Sequence, residues 1–180
     1  NRLFGLTFTP IAADLYHPDA RAWEVRRGDR HMGVFIGDYF ARPSKRSGAW
    51  CSSLRVQSRS DGGVRPIAVN VCNFAKAPEG EPCLLTFDDA RTLFHEFGHA
   101  LHVLMSDVTY GFIAGTAVAR DFVELPSQLY EHWLSTPEVL EAHARHAETG
   151  APMPRDLLDR LLAARNYDQG FSTVEYVTSA

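Results

Sequence analysis

The sequence predicts an α+β fold, with a strand-rich half over residues 1–85, an antiparallel or mixed β-sheet, followed by a helical half over residues 86–180. Three observations predict it. Ile67 to Phe74 alternates Ile67, Val69 and Val71 against Ala68, Asn70 and Cys72, the period of a strand with one apolar face. From Thr86 the period lengthens, and Leu93, Phe94, Phe97, Leu101, Leu104 and Met105 recur at helical spacing. Beyond residue 134, short periodic stretches are separated by turn residues at 135–137 and 150–154.

In chain order, residues 32–40 (MGVFIGDYF) form an apolar run expected to be a strand, with Gly33 and Gly37 marking close approach of another backbone. Residues 42–49 are a basic segment, read as a solvated loop around Arg42, Lys45 and Arg46. A weaker strand pattern covers 50–56, and Asp61-Gly62-Gly63 is a turn. The strand at 67–74 follows, then a loop at 76–82. Thr86 can cap a helix with Asp88 and Asp89 in its first turn, where acids are favoured. That helix is expected from 87 to about 105, with a glycine-containing connection over 106–116. A second helix is expected from near 120 to 134, with Pro126 in its early part. A third should run from 135–137 to about 148, a fourth from Arg155 to Arg165, and a fifth from near Ser172.

A hydrophobic fraction of 45% in 180 residues supports one sizeable core and excludes disorder, collagen and coiled coil. No apolar run reaches membrane-spanning length, so no membrane partner is expected. The balance of 18 basic against 22 acidic residues, a net charge of −4, argues against a nucleic-acid partner. Cys51, Cys72 and Cys83 are an odd number without framework spacing, which predicts a reducing, cytoplasmic compartment. The start at Asn1 without an initiator methionine, and the end at Ala180 inside a helical pattern, lead to the expectation of a piece of a longer protein.

The sharpest chemical signal is His95-Glu96-Phe97-Gly98-His99. On a helix the two histidines lie one turn apart on one face, two corners of a tetrahedral zinc site. Glu96 is rotated about 100° from His95, so it can serve a reacting water without ligating the metal. Gly98 costs about 1 kcal/mol against alanine in a helix, a cost that close packing against another element would explain. The alternative is a chance motif in an ordinary amphipathic helix. A catalytic zinc wants a third protein ligand and one open position. The metzincin extension is absent, since His102 and Met105 occupy its glycine and third-histidine positions. Glu124 is the leading candidate for the third ligand, with Glu131 and Glu175 as competitors. His102 shares the stripe of His95 and His99 and is read as a supporting or core histidine, because a fourth protein ligand would close the open position. Asp121, one turn from Glu124, could orient an imidazole or cap the helix. His143 and His146 are read as a solvated face. No phosphate loop, dinucleotide fingerprint or cysteine nucleophile setting is present.

The segment 93–102 (LFHEFGHALH), with Gly115-Thr116 and 121–128 (DFVELPSQ), resembles the thimet oligopeptidase family of zinc peptidases. Residues 16–19 (YHPD), 40–50, 70–74 (NVCNF), 80–82 (GEP) and 131–133 (EHW) point within that family to its peptidyl-dipeptidases, which release C-terminal dipeptides. The resemblance covers essentially the whole chain. It implies a zincin-like catalytic segment holding one Zn²⁺ through the residues matching His95, His99 and Glu124, with the one matching Glu96 as general base. It implies short peptides as substrates, and N- and C-terminal parts of the same protein as partners. Family members are several times longer. Their helical N-terminal region closes over a channel, and a later Gly/Tyr/His-rich stretch supplies substrate-holding and oxyanion-stabilising groups; nothing in this sequence matches that stretch. Internal peptide cleavage, a truncated non-catalytic zinc-binding segment, and a helical interaction module without metal are the alternative readings. An extended substrate could pair with a strand edge, for which the strand at 67–74 is the expected candidate.

Overall fold

The computed structural model describes residues 1–60, 62–164 and 167–179. Asp61 of the expected turn, Arg165 at the expected end of the fourth helix, and Ala180 lie outside the described residues. The fold is α+β, with five strands preceding five α-helices: β1 (Leu6–Ile11), β2 (Arg21–Arg27), β3 (Arg30–Phe40), β4 (Trp50–Arg55), β5 (Ile67–Phe74), α1 (Phe87–Leu104), α2 (Leu125–Leu134), α3 (Pro137–His143), α4 (Arg155–Ala164) and α5 (Gln169–Ser179). The chain divides into two compact units, Asn1–Leu134 and Ser135–Ala180.

The first unit contains one mixed sheet in the order β1-β2-β3-β5-β4. Its pairs are antiparallel except β3 with β5, which run parallel. The parallel pair has a physical requirement: the chain must cross back before re-entering the sheet. Residues 41–66, with β4 among them, make that return and leave β4 as an edge. β5 is therefore interior, its backbone groups taken by β3 and β4, which removes it as a free edge for a peptide.

One face of the sheet packs against α1. Leu6, Val25, Met32, Phe35 and Ala68 from the strands bury against Ala100, Leu101, Val103 and Leu104. Phe97 joins them with its ring set edge-on to Phe35, centroids 5.3 Å apart. The opposite face carries a second cluster of Ala20, Ala22, Ile36, Val69 and Val71, with Leu15 packed on it. The sequence pattern does not mark β1 and β2 as strands: Arg21, Glu24, Arg26 and Arg27 interrupt the alternation of β2, and Pro10 sits in β1, an edge strand where a missing N–H is tolerated.

The glycines of β3 differ. A Cβ on Gly33 would lie 2.5 Å from the Pro66 carbonyl oxygen, so another backbone does approach it. At Gly37 the neighbour is the ring of Tyr39, 2.4 Å from where a Cβ would sit, and the expectation of a backbone there is corrected. The basic segment is also corrected. Arg42 and Lys45 turn inward onto Asp38, which is 1% exposed. Arg42 donates to both carboxylate oxygens at 2.7 Å, and the Tyr16 hydroxyl donates at 3.0 Å. The Lys45 ammonium, 4% exposed, meets Asp38 Oδ1 at 3.3 Å, the Phe40 carbonyl at 2.8 Å and the Cys72 carbonyl. A buried carboxylate needs such partners, and their pull outweighed the solvation that a run of cations would otherwise seek. Burial opposes the Asp38 charge. The hydrogen bonds from Arg42 and Tyr16 and the Lys45 charge overcome it and hold the carboxyl at about 2.

In the second unit, α3 ends at His143, not near Glu148. The Met153 N–H donates to the Ala144 carbonyl and the His146 N–H to the Ala151 carbonyl, so these backbone groups close a turn through Gly150 in place of further helix. His143 and His146 are exposed, and His146 Nδ1 faces the N–H groups of Glu148 and Thr149 at 3.3 Å. Among the described residues no helix is long and apolar enough to cross a membrane.

Candidate metal centre

α1 positions the site. Thr86 caps it through a reciprocal capping box: its hydroxyl accepts from the Asp89 N–H at 3.0 Å, and Asp89 accepts from the Thr86 N–H at 3.0 Å. The helix then runs without interruption through His95 and His99, whose rings stand edge-to-face with centroids 4.9 Å apart.

The second element differs from the expectation. α2 begins at Leu125, not near Arg120, and residues 120–124 are turns. Pro126 decides this. In a helix starting near 120 it would fall in the interior, without an N–H for the Phe122 carbonyl and with its ring against that carbonyl. At the second position of the shorter helix neither cost arises. Glu124 therefore ends a turn, and its own carbonyl accepts the first helical bond, from the Gln128 N–H at 2.9 Å.

This placement brings Glu124 to the histidine pair. Its Oε2 lies 3.2 Å from His95 Nε2 and 3.1 Å from His99 Nε2. Among the described residues, His95, His99 and Glu124 are the group whose ligand atoms all fall within 4.8 Å of one another. The fully buried Ser127 has its hydroxyl 2.9 Å from the Glu124 carbonyl and 3.0 Å from Oε2, tying the carboxylate to the start of α2. Two imidazoles and one carboxylate are a donor set that fits Zn²⁺, and among the described residues no fourth protein donor joins them to close the remaining position. Burial lowers the proton affinity of His99, which favours the neutral ring that a metal requires.

Glu96 is 7% exposed and stands apart from that donor set. Burial raises its pKa; the His95 charge opposes this and the Glu124 carboxylate adds to it. A polar cavity of about 330 Å³ lined by Arg91, Thr92, His95, Glu96, Glu131 and Ala49 opens beside these groups.

The remaining candidates separate. Asp121 lies exposed in the turns before α2, and among the described residues it makes no hydrogen bond to either imidazole. Glu131, expected as a competing ligand, instead meets the far side of His95, with Oε1 2.6 Å from Nδ1. Its spacing from Glu124, two turns along α2, was the available signal, but a sequence does not say which imidazole nitrogen a carboxylate will face. His102 packs edge-on against Phe122, beside an apolar cavity of about 470 Å³, and burial lowers its pKa. Glu175 is exposed on α5, in the other unit. Cys51 and Cys72 are held at about 12, first by burial and then by the charge of Glu96, so neither is a thiolate at neutral pH.

Gly98 accounts for the approach of α1 to α2. A Cβ there would lie 2.6 Å from Ser127 Cα and 2.9 Å from the Pro126 carbonyl oxygen, both backbone atoms. Gly98→Ala is expected to lower stability by about 1–3 kcal/mol, because overpacking exceeds the gain in helix propensity of about 1 kcal/mol. The affinity for a metal held by His95, His99 and Glu124 should fall with it, since Glu124 must move away with α2. Thermal melts and a chelator titration check both; an unchanged affinity would show that the Gly98–Ser127 contact does not set the ligand spacing.

The family model described as peptidase family M3 matches residues 1–180 of the chain. The chain is 46% identical to the dipeptidyl carboxypeptidase of Salmonella typhimurium and 42% identical to that of Escherichia coli, each alignment covering all of this chain and 27% of the relative. It is 42% identical to oligopeptidase A of Escherichia coli, over 92% of this chain and 25% of the relative. The chain thus spans about a quarter of the length of these relatives.

Proposed function

The chain belongs to peptidase family M3, and on that premise we propose that it is the zinc-binding segment of a metallopeptidase that hydrolyses short peptides, releasing C-terminal dipeptides in the complete protein. The convergence of His95, His99 and Glu124 beside a separate, buried Glu96 carries this reading. Residues 1–180 are then part of a zincin-like catalytic domain, with β1–β5 and α1 as its scaffold. Release of dipeptides is preferred over internal cleavage because the similarity to the dipeptidyl carboxypeptidases spans the whole chain. The three free cysteines support a cytoplasmic setting.

His95, His99 and Glu124 would hold the zinc, which supplies a Lewis acid for the scissile carbonyl and lowers the pKa of a water. Glu96 takes the proton of the attacking water through its carboxylate and delivers it to the departing amine nitrogen. Ser127 keeps the Glu124 carboxylate aimed at the imidazoles. An extended substrate would pair with the free edge of β4, not with the interior β5. Ala49, immediately before β4, lines the cavity beside His95 and Glu96.

The test is zinc content after dialysis without chelator, for wild type and Glu124→Gln. About one zinc per chain is expected for wild type. The variant should weaken binding by more than the roughly 10–100-fold that loss of an outer partner costs. Wild type with no zinc even after zinc is supplied, or a variant that binds as tightly, would overturn the ligand set.

A further inference from the structure

His95 is held from both sides, and His99 is not. His95 Nε2 faces Glu124 at 3.2 Å while its Nδ1 faces Glu131 Oε1 at 2.6 Å. His99 Nε2 also faces Glu124, at 3.1 Å, but its buried Nδ1 has no hydrogen-bond partner among the described residues. The two imidazoles sit on the same helix face and would do the same work, yet one of them has a dedicated carboxylate behind it.

We propose that Glu131 is a positioning residue: it accepts the Nδ1–H of His95 and so holds that ring in the tautomer whose Nε2 lone pair points into the metal site. This rests on the zinc reading above. A neutral imidazole carries one proton on one of two nitrogens, and only the bare nitrogen can ligate. A carboxylate at 2.6 Å can only accept, so it keeps a proton on Nδ1; when Glu124 and Nε2 turn to a shared metal, the neutral ring is then the Nδ1–H form with Nε2 as the donor. The carboxylate also makes the ring a stronger donor, because partial negative charge passes through the hydrogen bond. The geometry excludes direct ligation by Glu131 from this position, since its Oε1 lies against the nitrogen on the opposite edge of the ring from the one facing Glu124. Both ends of the contact are anchored in helices: His95 in α1, and Glu131 in α2, whose Tyr130 ring stacks on Phe94 with centroids 5.5 Å apart. The Gly98–Ser127 approach that delivers Glu124 to one side of His95 thus delivers Glu131 to the other.

The test uses the complete protein and two readouts, one of which needs no metal. Imidazole ¹⁵N shifts of the metal-free chain report the tautomer of His95, and competition with a chromophoric chelator reports zinc affinity. Wild type should show His95 protonated at Nδ1. Glu131→Ala should move that proton toward Nε2, leave the shifts of His99 in place, and weaken zinc by about 10–100-fold. Glu131→Gln keeps a carbonyl acceptor at the same reach, so it should restore the tautomer and recover part of the affinity. It is the informative variant if the alanine form loses its fold, for a side chain about one-quarter exposed tolerates the isosteric change. A wild-type His95 without a proton at Nδ1, an Nδ1 proton that stays in place in Glu131→Ala, or a glutamine form that loses the Nδ1 proton while remaining folded would overturn the proposal. Absence of zinc from wild type and variants alike, with the tautomer responding as described, would overturn the zinc reading and leave the Glu131–His95 contact standing.

Discussion

In the complete protein, Glu96→Gln is expected to lower kcat for peptide hydrolysis by about 10²–10⁴-fold, the usual contribution of a general base, with zinc content unchanged. The amide matches the carboxylate in size and can still accept a hydrogen bond, but it cannot take a proton from water. The zinc expectation follows from position. Glu96 follows His95 by one residue, is turned about 100° around the helix, and stands outside the group formed by His95, His99 and Glu124. Its burial keeps competing solvent away and raises its proton affinity relative to a surface carboxylate. Steady-state kinetics on a short peptide and metal analysis of the same preparation decide the matter. Hydrolysis at the wild-type rate would remove Glu96 from the proton-transfer role, and loss of zinc would make it part of the metal site.

Asp38→Ala is the structural change with the largest expected effect, a loss of about 3–5 kcal/mol, because truncating one partner strands buried charge on the other. Arg42 and Lys45 would remain facing the cavity left by the carboxylate, with Tyr16 also without its acceptor. Asp38→Asn keeps the shape and one acceptor oxygen and should fall between alanine and wild type. The pH dependence has a definite sign. The carboxyl is held at about 2 in the fold, below the roughly 3.9 of an unfolded aspartate. Its stabilisation is therefore fully present above about pH 4 and is lost as pH falls through 2. The linked contribution is on the order of 2–3 kcal/mol. Urea unfolding at neutral pH and near pH 2 should show the gap between wild type and Asp38→Ala narrowing in acid. A gap below 1 kcal/mol at neutral pH would mean that Arg42 and Lys45 reach water when the carboxylate is removed.

That network also shows where reading along the chain stops. Arg42, Lys45 and Arg46 within five residues look like a solvated loop, because the partner that draws two of them inward matters only once β3 places Asp38 beneath them. The same limit appears at β1 and β2. Their charged positions hide a period of two that becomes evident only when Leu6 and Val25 meet Leu101 and Leu104 across the core. The parallel pairing of β3 with β5 depends on the return of residues 41–66, and no local pattern encodes it.

Short-range chemistry accounts for everything that was legible along the chain. The alternation of Ile67–Phe74 set that strand to the residue, and the Thr86 cap, the acids Asp88 and Asp89 in the first turn and the period of Leu93, Phe97, Leu101 and Leu104 set α1 to within one residue. The four-residue spacing then placed His95 and His99 on one face, since a helix repeats every 3.6 residues whatever surrounds it. Which carboxylate reaches which nitrogen depends on how the helices pack. Pro126 shortens α2, Gly98 lets its backbone close on α1, and only then does Glu124 meet Nε2 of both histidines while Glu131 meets Nδ1 of one. These contacts join residues 25 to 36 positions apart, between α1 on one side and α2 with the turn that precedes it on the other. Their geometry follows from how the helices pack, to which spacing along the chain is blind.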